Sequence, residues 1–147
     1  MFKRLLIPTD GSRIADKAVK AGIRFAKEIG AGVVGYYAIE PVQAYYYSEG
    51  AMADGRLIAE FDRQSKAAGE KALAAMAKLA RAGRVRFDSL CDKPRTAYDG
   101  IVKAARRKKC DVIFMASHGR SGLAKLVMGS VTQNVLAQSK IPVVVYR

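Results

Sequence analysis

The sequence predicts a doubly wound α/β fold, in which a five-stranded parallel sheet carries helices on both faces. Short apolar runs alternate with segments of helical periodicity in the order βαβαβαβαβ, which indicates a parallel sheet. The chain has 147 residues, of which 50% are hydrophobic and 27% charged, and this suits one globular domain spanning residues 1–147. Right-handed crossovers favour the strand order 3-2-1-4-5.

In the first third of the chain, the sequence pattern predicts a strand, a helix and a second strand in that order. The first strand covers residues 4–8 and ends in a Pro-Thr-Asp-Gly turn. The following helix ends at Gly30, a natural C-terminal cap, and the second strand covers residues 32–39. The apolar face of the helix comprises Ala15, Ala18, Val19, Gly22, Phe25, Ala26 and Ile29.

Residues 41–55 show no clear period and contain three adjacent tyrosines, Tyr45, Tyr46 and Tyr47. We interpret this segment as a loop, because three adjacent tyrosines cannot all face one core. Two interpretations stay open: the loop packs on the domain surface or at a subunit contact, or it is a flap that stacks on a bound ring.

The middle of the chain predicts a long helix and an edge strand. Residues 56–81 are rich in alanine, which favours a helix, and Gly83 ends it. Basic and apolar residues alternate over residues 84–90, as expected for a half-exposed strand at a sheet edge. The buried stripe of the helix is predicted to be Leu57, Phe61, Ser65, Ala68, Ala72, Met76 and Leu79.

A third helix begins near Pro94, and its apolar face contains Tyr98, Ile101, Val102 and Ala105. The basic cluster at residues 106–109 falls in its last turn, where cations interact favourably with the helix dipole. This placement explains the cluster without a nucleic-acid ligand.

The fourth strand, residues 112–116, is apolar throughout and therefore reads as buried on both faces. Small and glycine residues follow it, and Ser130 and Gln133 have capping-box spacing, which predicts the start of a helix. This helix, residues 131–138, is predicted to bury Val131, Val135 and Leu136. A glycine loop before a helix N-terminus suits a phosphate.

The fifth strand is predicted from Ile141 to Tyr146, and the proline near its start suits a sheet edge. An apolar strand exposed on an edge would aggregate unless it were covered or paired. We therefore expect a homodimer that forms through this C-terminal strand.

The net charge and the cysteine content limit the classes of function that the protein can have. The formal net charge of +13 favours phosphorylated or polyanionic partners, but the basic residues are spread along the chain, which argues against specific nucleic-acid binding. Cys91 and Cys110 cannot make a disulfide framework and are expected to be reduced, buried thiols. Without an N-terminal signal or an apolar run of about 20 residues, we expect a cytoplasmic protein with no membrane span.

Several stretches together resemble the universal stress protein family across the whole chain: LLIPTDGS at residues 5–12, SHGRSGL at 117–123, MGSVTQNVL at 128–136 and IPVVVYR at 141–147. In members of this family that bind ATP, the motif is Gly, two residues, Gly, nine residues, Gly, then Ser or Thr. Here Gly119, Gly129 and Ser130 match, and Ala116 holds the first position. We expect the extra methyl to weaken the site without abolishing it.

The resemblance implies ATP binding at the sheet's switch point, beyond the ends of the first and fourth strands. It places Pro8, Thr9, Asp10 and Ala38 on the base and ribose side. It places Met115, Ala116, Gly119, Arg120, Ser121, Gly122, Gly129, Ser130, Val131 and Thr132 around the ribose and phosphates. From the residues alone, Asp10 could equally close its turn, and Ser130 could equally cap its helix.

The chemistry for fast phosphoryl transfer is missing from the sequence. It contains no Walker A motif, and the glycine loop carries no acidic residue, so Mg²⁺ would rest on the phosphates with Asp10 as its available protein ligand. His118, the sole histidine, is a poor metal ligand by itself. We expect at most slow ATP hydrolysis.

Three functions stay open: a dimeric ATP-dependent stress sensor or switch, a stress protein acting through protein contacts without nucleotide, and a basic polyanion binder.

Overall fold

A computed structural model of the protein describes residues 1–41, 55–118 and 128–147. Five parallel strands form one sheet in the order β3-β2-β1-β4-β5, which confirms the predicted topology. The strands are β1 (Arg4–Pro8), β2 (Gly32–Ala38), β3 (Phe87–Asp92), β4 (Val112–Ala116) and β5 (Val143–Tyr146). The helices are α1 (Arg13–Ile29), α2 (Gly55–Ala82), α3 (Ala97–Arg107) and α4 (Ser130–Gln138).

The sheet is covered on both faces, as predicted. Successive residues of a strand point to opposite faces, and in β1 Leu5 and Ile7 join one core cluster while Leu6 joins the other. The first cluster packs α1 and α2 against the sheet, and the second packs α3 and α4. Both edge predictions are also confirmed, because β3 and β5 are the outer strands.

Helix α1 ends at the predicted cap Gly30, and Ser12 caps its start. The Ser12 side chain accepts a hydrogen bond from the Ala15 N–H, and Gly30 adopts the left-handed conformation with φ 71°. Gly22 lies so close to the sheet that an added Cβ would stand 2.7 Å from Ile7 Cδ1. The helix can therefore lie directly against β1.

The predicted stripe of α2 is wrong in part. Its buried residues are Gly69, Leu73, Met76 and Ala80, so only Met76 of the predicted set is fully buried. Leu57 and Leu79 are 54% and 38% exposed. Close packing decides the rotation of the helix, because a Cβ at Gly69 would lie only 2.7 Å from the Tyr37 ring.

The starts of α3, β3 and β5 differ from the predictions, and β5 begins at Val143 rather than at Ile141. Helix α3 begins at Ala97 with Thr96 as its cap, three positions after the predicted start near Pro94, because the Thr96 side chain accepts from the Asp99 N–H. Strand β3 begins at Phe87, because Arg84 takes a positive φ of 57° in the turn after α2. Of the loop predicted over residues 41–55, residues 42–54 with the three tyrosines lie outside the described residues, and Gly55 already belongs to α2.

Cys91 and Cys110 are both free thiols, as expected, but of the two only Cys110 is fully buried. Cys110 is 6% exposed, and burial raises its pKa to about 11. Cys91 is half-buried, and burial raises the pKa of its thiol as well. Among the described helices, none is both long and apolar enough to cross a membrane.

We expect the protein to lose stability above pH 9 partly through Cys110. Because folding raises this thiol's pKa from 9.0 to about 11, the native state binds more protons than the unfolded state, so stability falls as the pH rises. The loss due to this group should reach about 1.4 kcal/mol by pH 10. Urea unfolding of wild type and Cys110→Ala at pH 7 and pH 10 measures it, since every other titrating group is common to both. Equal pH dependence in the two proteins would contradict the expectation.

Candidate functional site

A cavity of about 340 Å³ opens at the carboxyl end of the sheet. It lies at the switch point, where α1 leaves β1 toward one face and the chain after β4 leads to α4 on the other face. All ten described residues of the predicted site line this cavity: Pro8, Thr9, Asp10, Ala38, Met115, Ala116, Gly129, Ser130, Val131 and Thr132. The other four, Gly119, Arg120, Ser121 and Gly122, lie outside the described residues.

The end of β1 forms one wall of the cavity. The Thr9 N–H donates to the Tyr36 carbonyl at 2.9 Å, which continues the sheet pairing. Thr9 Oγ1 accepts from the Gly11 N–H at 3.1 Å, and Asp10 Oδ1 accepts from the Ser12 N–H at 2.9 Å. Gly11 has φ 75°, a conformation that glycine adopts without strain. Asp10 therefore closes the turn with one carboxylate oxygen and still lines the cavity.

The end of β4 and the start of α4 are joined by two hydrogen bonds, which we call the β4–α4 contact. Thr132 Oγ1 donates to the Ala116 carbonyl at 3.0 Å, and the Gly129 N–H donates to the Ser117 carbonyl at 2.9 Å. Thr132 is 2% exposed, so the first of these bonds is shielded from water. Ala116 lies within β4 in ordinary strand geometry, so its methyl group forces no backbone strain.

The capping-box prediction is wrong, and the helix begins at Ser130, one residue before the predicted start. The N-cap of α4 is Gly129, which has no side chain to cap with, and Ser130 is the first helical residue. Gln133 Nε2 donates instead to the Met128 carbonyl at 2.8 Å. Because the first turn of a helix leaves N–H groups without intrahelical partners, the start of α4 offers donors to the cavity. Leu136, predicted to be buried, is 41% exposed.

Part of the cavity wall was missed at the sequence level. It comprises Ala15, Tyr36, Tyr37, Ile39, Glu40, Phe61, Ser65, Ala97, Ile101 and His118. The residues from β2 had a usable signal, because β2 neighbours β1 in the predicted order and its carboxyl end must reach the same edge. The α2 and α3 residues had none, because only the packed structure shows which side of each helix overhangs the sheet.

Tyr36 lines the cavity, and a hydrogen bond holds its hydroxyl in place. The Tyr36 side chain is completely buried, and its hydroxyl donates to Asp92 Oδ1 at 2.7 Å. Arg107 Nη2 donates to Asp92 Oδ2 at 3.2 Å. Burial, followed by the bond to Asp92, raises the pKa of Tyr36 far above its ordinary value. The hydroxyl therefore stays neutral and is committed to Asp92, so Tyr36 contributes its ring to the cavity.

The site shows little machinery for covalent chemistry. Ser117 Oγ lies 2.9 Å from His118 Nδ1, but Ser117 is 4% exposed and does not line the cavity. Within residues 1–41, 55–118 and 128–147, no group of three or more His, Cys, Asp or Glu side chains is placed to hold a metal ion. Among the described residues, the Ser117–His118 pair therefore does not present a serine nucleophile to the cavity.

Universal stress proteins of other organisms match the chain along its whole length. A universal stress protein of Methanocaldococcus jannaschii is 33% identical over 149 residues, which cover 100% of this chain and 83% of the relative. One of Thermus aquaticus is 31% identical over 147 residues and matches 100% of both chains.

Solved structures share the fold. That of a second universal stress protein of Methanocaldococcus jannaschii has a TM-score of 0.84 at 26% identity, covering 99% of this chain and 95% of that chain. A universal stress protein solved in complex with cAMP has a TM-score of 0.71 at 23% identity, covering 99% and 97%. One from Archaeoglobus fulgidus in complex with dAMP has a TM-score of 0.68 at 15% identity, covering 100% and 98%.

A family model decides the assignment, because it matches the chain from end to end. The model describes the universal stress protein family and covers residues 1–147. This agrees with the sheet order, with the cavity at the switch point and with the two full-length relatives. The chain belongs to the universal stress protein family.

Proposed function

We propose that this protein binds ATP in the cavity at the switch point and acts as an ATP-dependent sensor or switch in a stress response. The observation that carries the proposal is the β4–α4 contact, which brings the start of α4 to the edge of the cavity. The volume of about 340 Å³ falls within the range of small-molecule sites. The complexes of two structural relatives with cAMP and dAMP support an adenine nucleotide as the class of ligand.

The two ends of the cavity differ in chemistry, and this difference orients the nucleotide. At one end, Tyr37, Ala38 and Ile39 provide an apolar wall from β2 that suits a base. At the other end, Gly129 and Ser130 begin α4, whose N-terminal N–H groups and dipole favour phosphate. Arg120, predicted in the glycine loop, would add positive charge beside the phosphates.

Asp10 is the cavity residue that best fits a bound Mg²⁺. Its carboxylate lines the cavity and has one oxygen bonded to the Ser12 N–H. Magnesium at a nucleotide commonly takes one or two carboxylates together with phosphate oxygens and water, so a single aspartate is sufficient. When bound, the ion would neutralise phosphate charge, while α4 and Asp10 orient the nucleotide.

Gly129→Asp should weaken ATP binding by at least tenfold. Gly129 has φ −60° and ψ 145°, which aspartate adopts readily, and aspartate is a favoured N-cap, so the fold should persist. The added carboxylate would stand where we place the phosphates. Isothermal titration with Mg²⁺ measures the affinity, and Gly129→Asn supplies a neutral control of the same shape. If Asp and Asn variants bind ATP as tightly as wild type, the phosphates do not lie at α4.

Ala116→Gly tests the departure from the family motif in the same titration. Removing the methyl should allow closer approach of the phosphates, and we expect tighter binding by a few fold. If neither wild type nor Ala116→Gly binds ATP at millimolar concentration, the proposal fails. Ala116 then favours the second candidate function, in which the protein acts through protein contacts without nucleotide.

We also propose that two copies pair through β5. This strand lies at a sheet edge, and all four of its residues are half-buried rather than fully covered. Pairing would protect an apolar edge from aggregation. Light scattering of the purified protein measures the mass in solution, and a monomeric mass would contradict the dimer.

A further inference from the structure

Helix α2 is longer than the sheet it packs against. Its 28 residues span about 42 Å, whereas the seven residues of β2 span about 23 Å. All of its buried residues lie between Gly69 and Ala80, and residues 55–68 include none. Because a crossover helix begins at the carboxyl edge of a parallel sheet, the unburied half, residues 55–68, extends past the edge where the cavity opens. We call it the overhang.

Two side chains of the overhang face the cavity. Phe61 and Ser65 are four residues apart, so they lie on the same side of the helix, and both line the cavity. Phe61 belongs to neither core cluster of the described residues, nor to the partly buried side chains packed against them. Among the described residues, the Phe61 ring therefore lines the cavity and takes no part in the hydrophobic core.

An ion pair fastens the overhang to the connection between β3 and α3. Lys93, in the connection between β3 and α3, donates to both carboxylate oxygens of Asp62 at 2.7 Å. Asp62 follows Phe61 directly, so this ion pair ties the turn that carries the ring to the same edge of the sheet. A tied helical turn presents a side chain more rigidly than a free loop would.

We propose that the overhang forms the base-recognition wall of the nucleotide site, with the Phe61 ring packed on the face of the base and Ser65 bonded to its edge. This inference rests on the proposed function. The phosphates lie at α4, on the β4 side of the switch point, so the base extends toward β2. There the overhang faces it from α2, and stacking between an aromatic side chain and a base is a strong, sequence-tolerant contact.

The test compares Phe61→Ala with Leu57→Ala, a control one helical turn earlier that is 54% exposed and does not line the cavity. Each protein is titrated with ATP and with inorganic tripolyphosphate, which has no base. Phe61→Ala should weaken ATP binding about tenfold or more and leave tripolyphosphate binding unchanged. Leu57→Ala should change neither, and Phe61→Trp should retain ATP affinity.

Ser65→Ala is titrated with ATP and inosine triphosphate, which differ at the edge of the base. We expect the preference between the two nucleotides to shrink severalfold relative to wild type. If wild type binds ATP and Phe61→Ala binds it equally well, the base-wall inference is overturned and the proposed function stands. If Phe61→Ala weakens ATP and tripolyphosphate equally, the ring acts on the whole site and the inference is also overturned. If wild type binds no ATP, both fail.

Discussion

Gly100→Ala is expected to destabilise the protein by about 3 kcal/mol, the upper part of the usual range for overpacking a core. Gly100 is buried in α3, and a Cβ there would collide with the Tyr36 hydroxyl and lie 2.7 Å from Pro94 Cγ. Tyr36 cannot withdraw easily, because its ring is completely buried and its hydroxyl is bonded to Asp92. The better helix propensity of alanine offsets only about 1 kcal/mol.

The collision can be separated from a general effect of glycine replacement. Gly55→Ala is the matched control, because Gly55 lies in α2 and, among the described residues beyond its own helical turn, no atom lies within 4 Å of an added Cβ. Its stability should stay within about 0.5 kcal/mol of wild type. Combining Gly100→Ala with Tyr36→Phe should cost less than the two changes added together. Urea unfolding followed by circular dichroism measures the wild type and all four variants, and equal behaviour of Gly100→Ala and Gly55→Ala would contradict the expected collision.

The sheet order could be predicted because it depends on local patterns that the sequence carries. The run at residues 112–116 is apolar at every position, as a central strand requires. The alternation over residues 84–90 indicated an edge strand, and β3 is one. Once five strands and four helices are in order, right-handed crossovers leave few arrangements.

The rotation of α2 could not be predicted, because its composition hides its period. Alanines occupy so many positions that several stripes are about equally apolar. The stripe through Leu73 and Ala80 prevails over the one through Ala72 and Leu79, since Gly69 permits close approach to Tyr37. The overhang could not be predicted either, because a local sequence pattern does not show at which residue a helix extends past the edge of the sheet.

Only the part of the candidate site that follows from the sheet topology could be predicted from the sequence. The switch point follows from the sheet order, and it located the ends of β1 and β4 at the cavity. The contact between Gly100 and Tyr36 joins α3 to β2, and Phe61 joins the cavity from α2. Such pairings between distant segments depend on packing of the whole domain, so no spacing in the sequence encodes them.

Thr132→Val should lower stability by about 2 kcal/mol and weaken ATP binding at least tenfold, because it removes half of the β4–α4 contact. Valine matches threonine in shape but has no hydroxyl to donate to the Ala116 carbonyl. Leaving a buried carbonyl without this bond costs about 1–3 kcal/mol. Of the two hydrogen bonds in the β4–α4 contact, that of the Gly129 N–H would remain, and imprecise placement of the N–H groups of α4 would weaken phosphate binding.

Thr132→Ser separates the hydrogen bond from the packing. Serine keeps the donor and loses only the methyl group, which should cost about 1 kcal/mol of stability and little ATP affinity. Isothermal titration is carried out at a temperature where unfolding curves show both variants folded, so a difference in affinity cannot arise from unfolded protein. If the two variants bind ATP equally well, α4 is positioned by core packing around Val135 rather than by the Thr132 hydroxyl. If only Thr132→Val loses affinity, nucleotide binding requires the Thr132 hydroxyl, as expected if its bond to the Ala116 carbonyl aligns α4 with the phosphates.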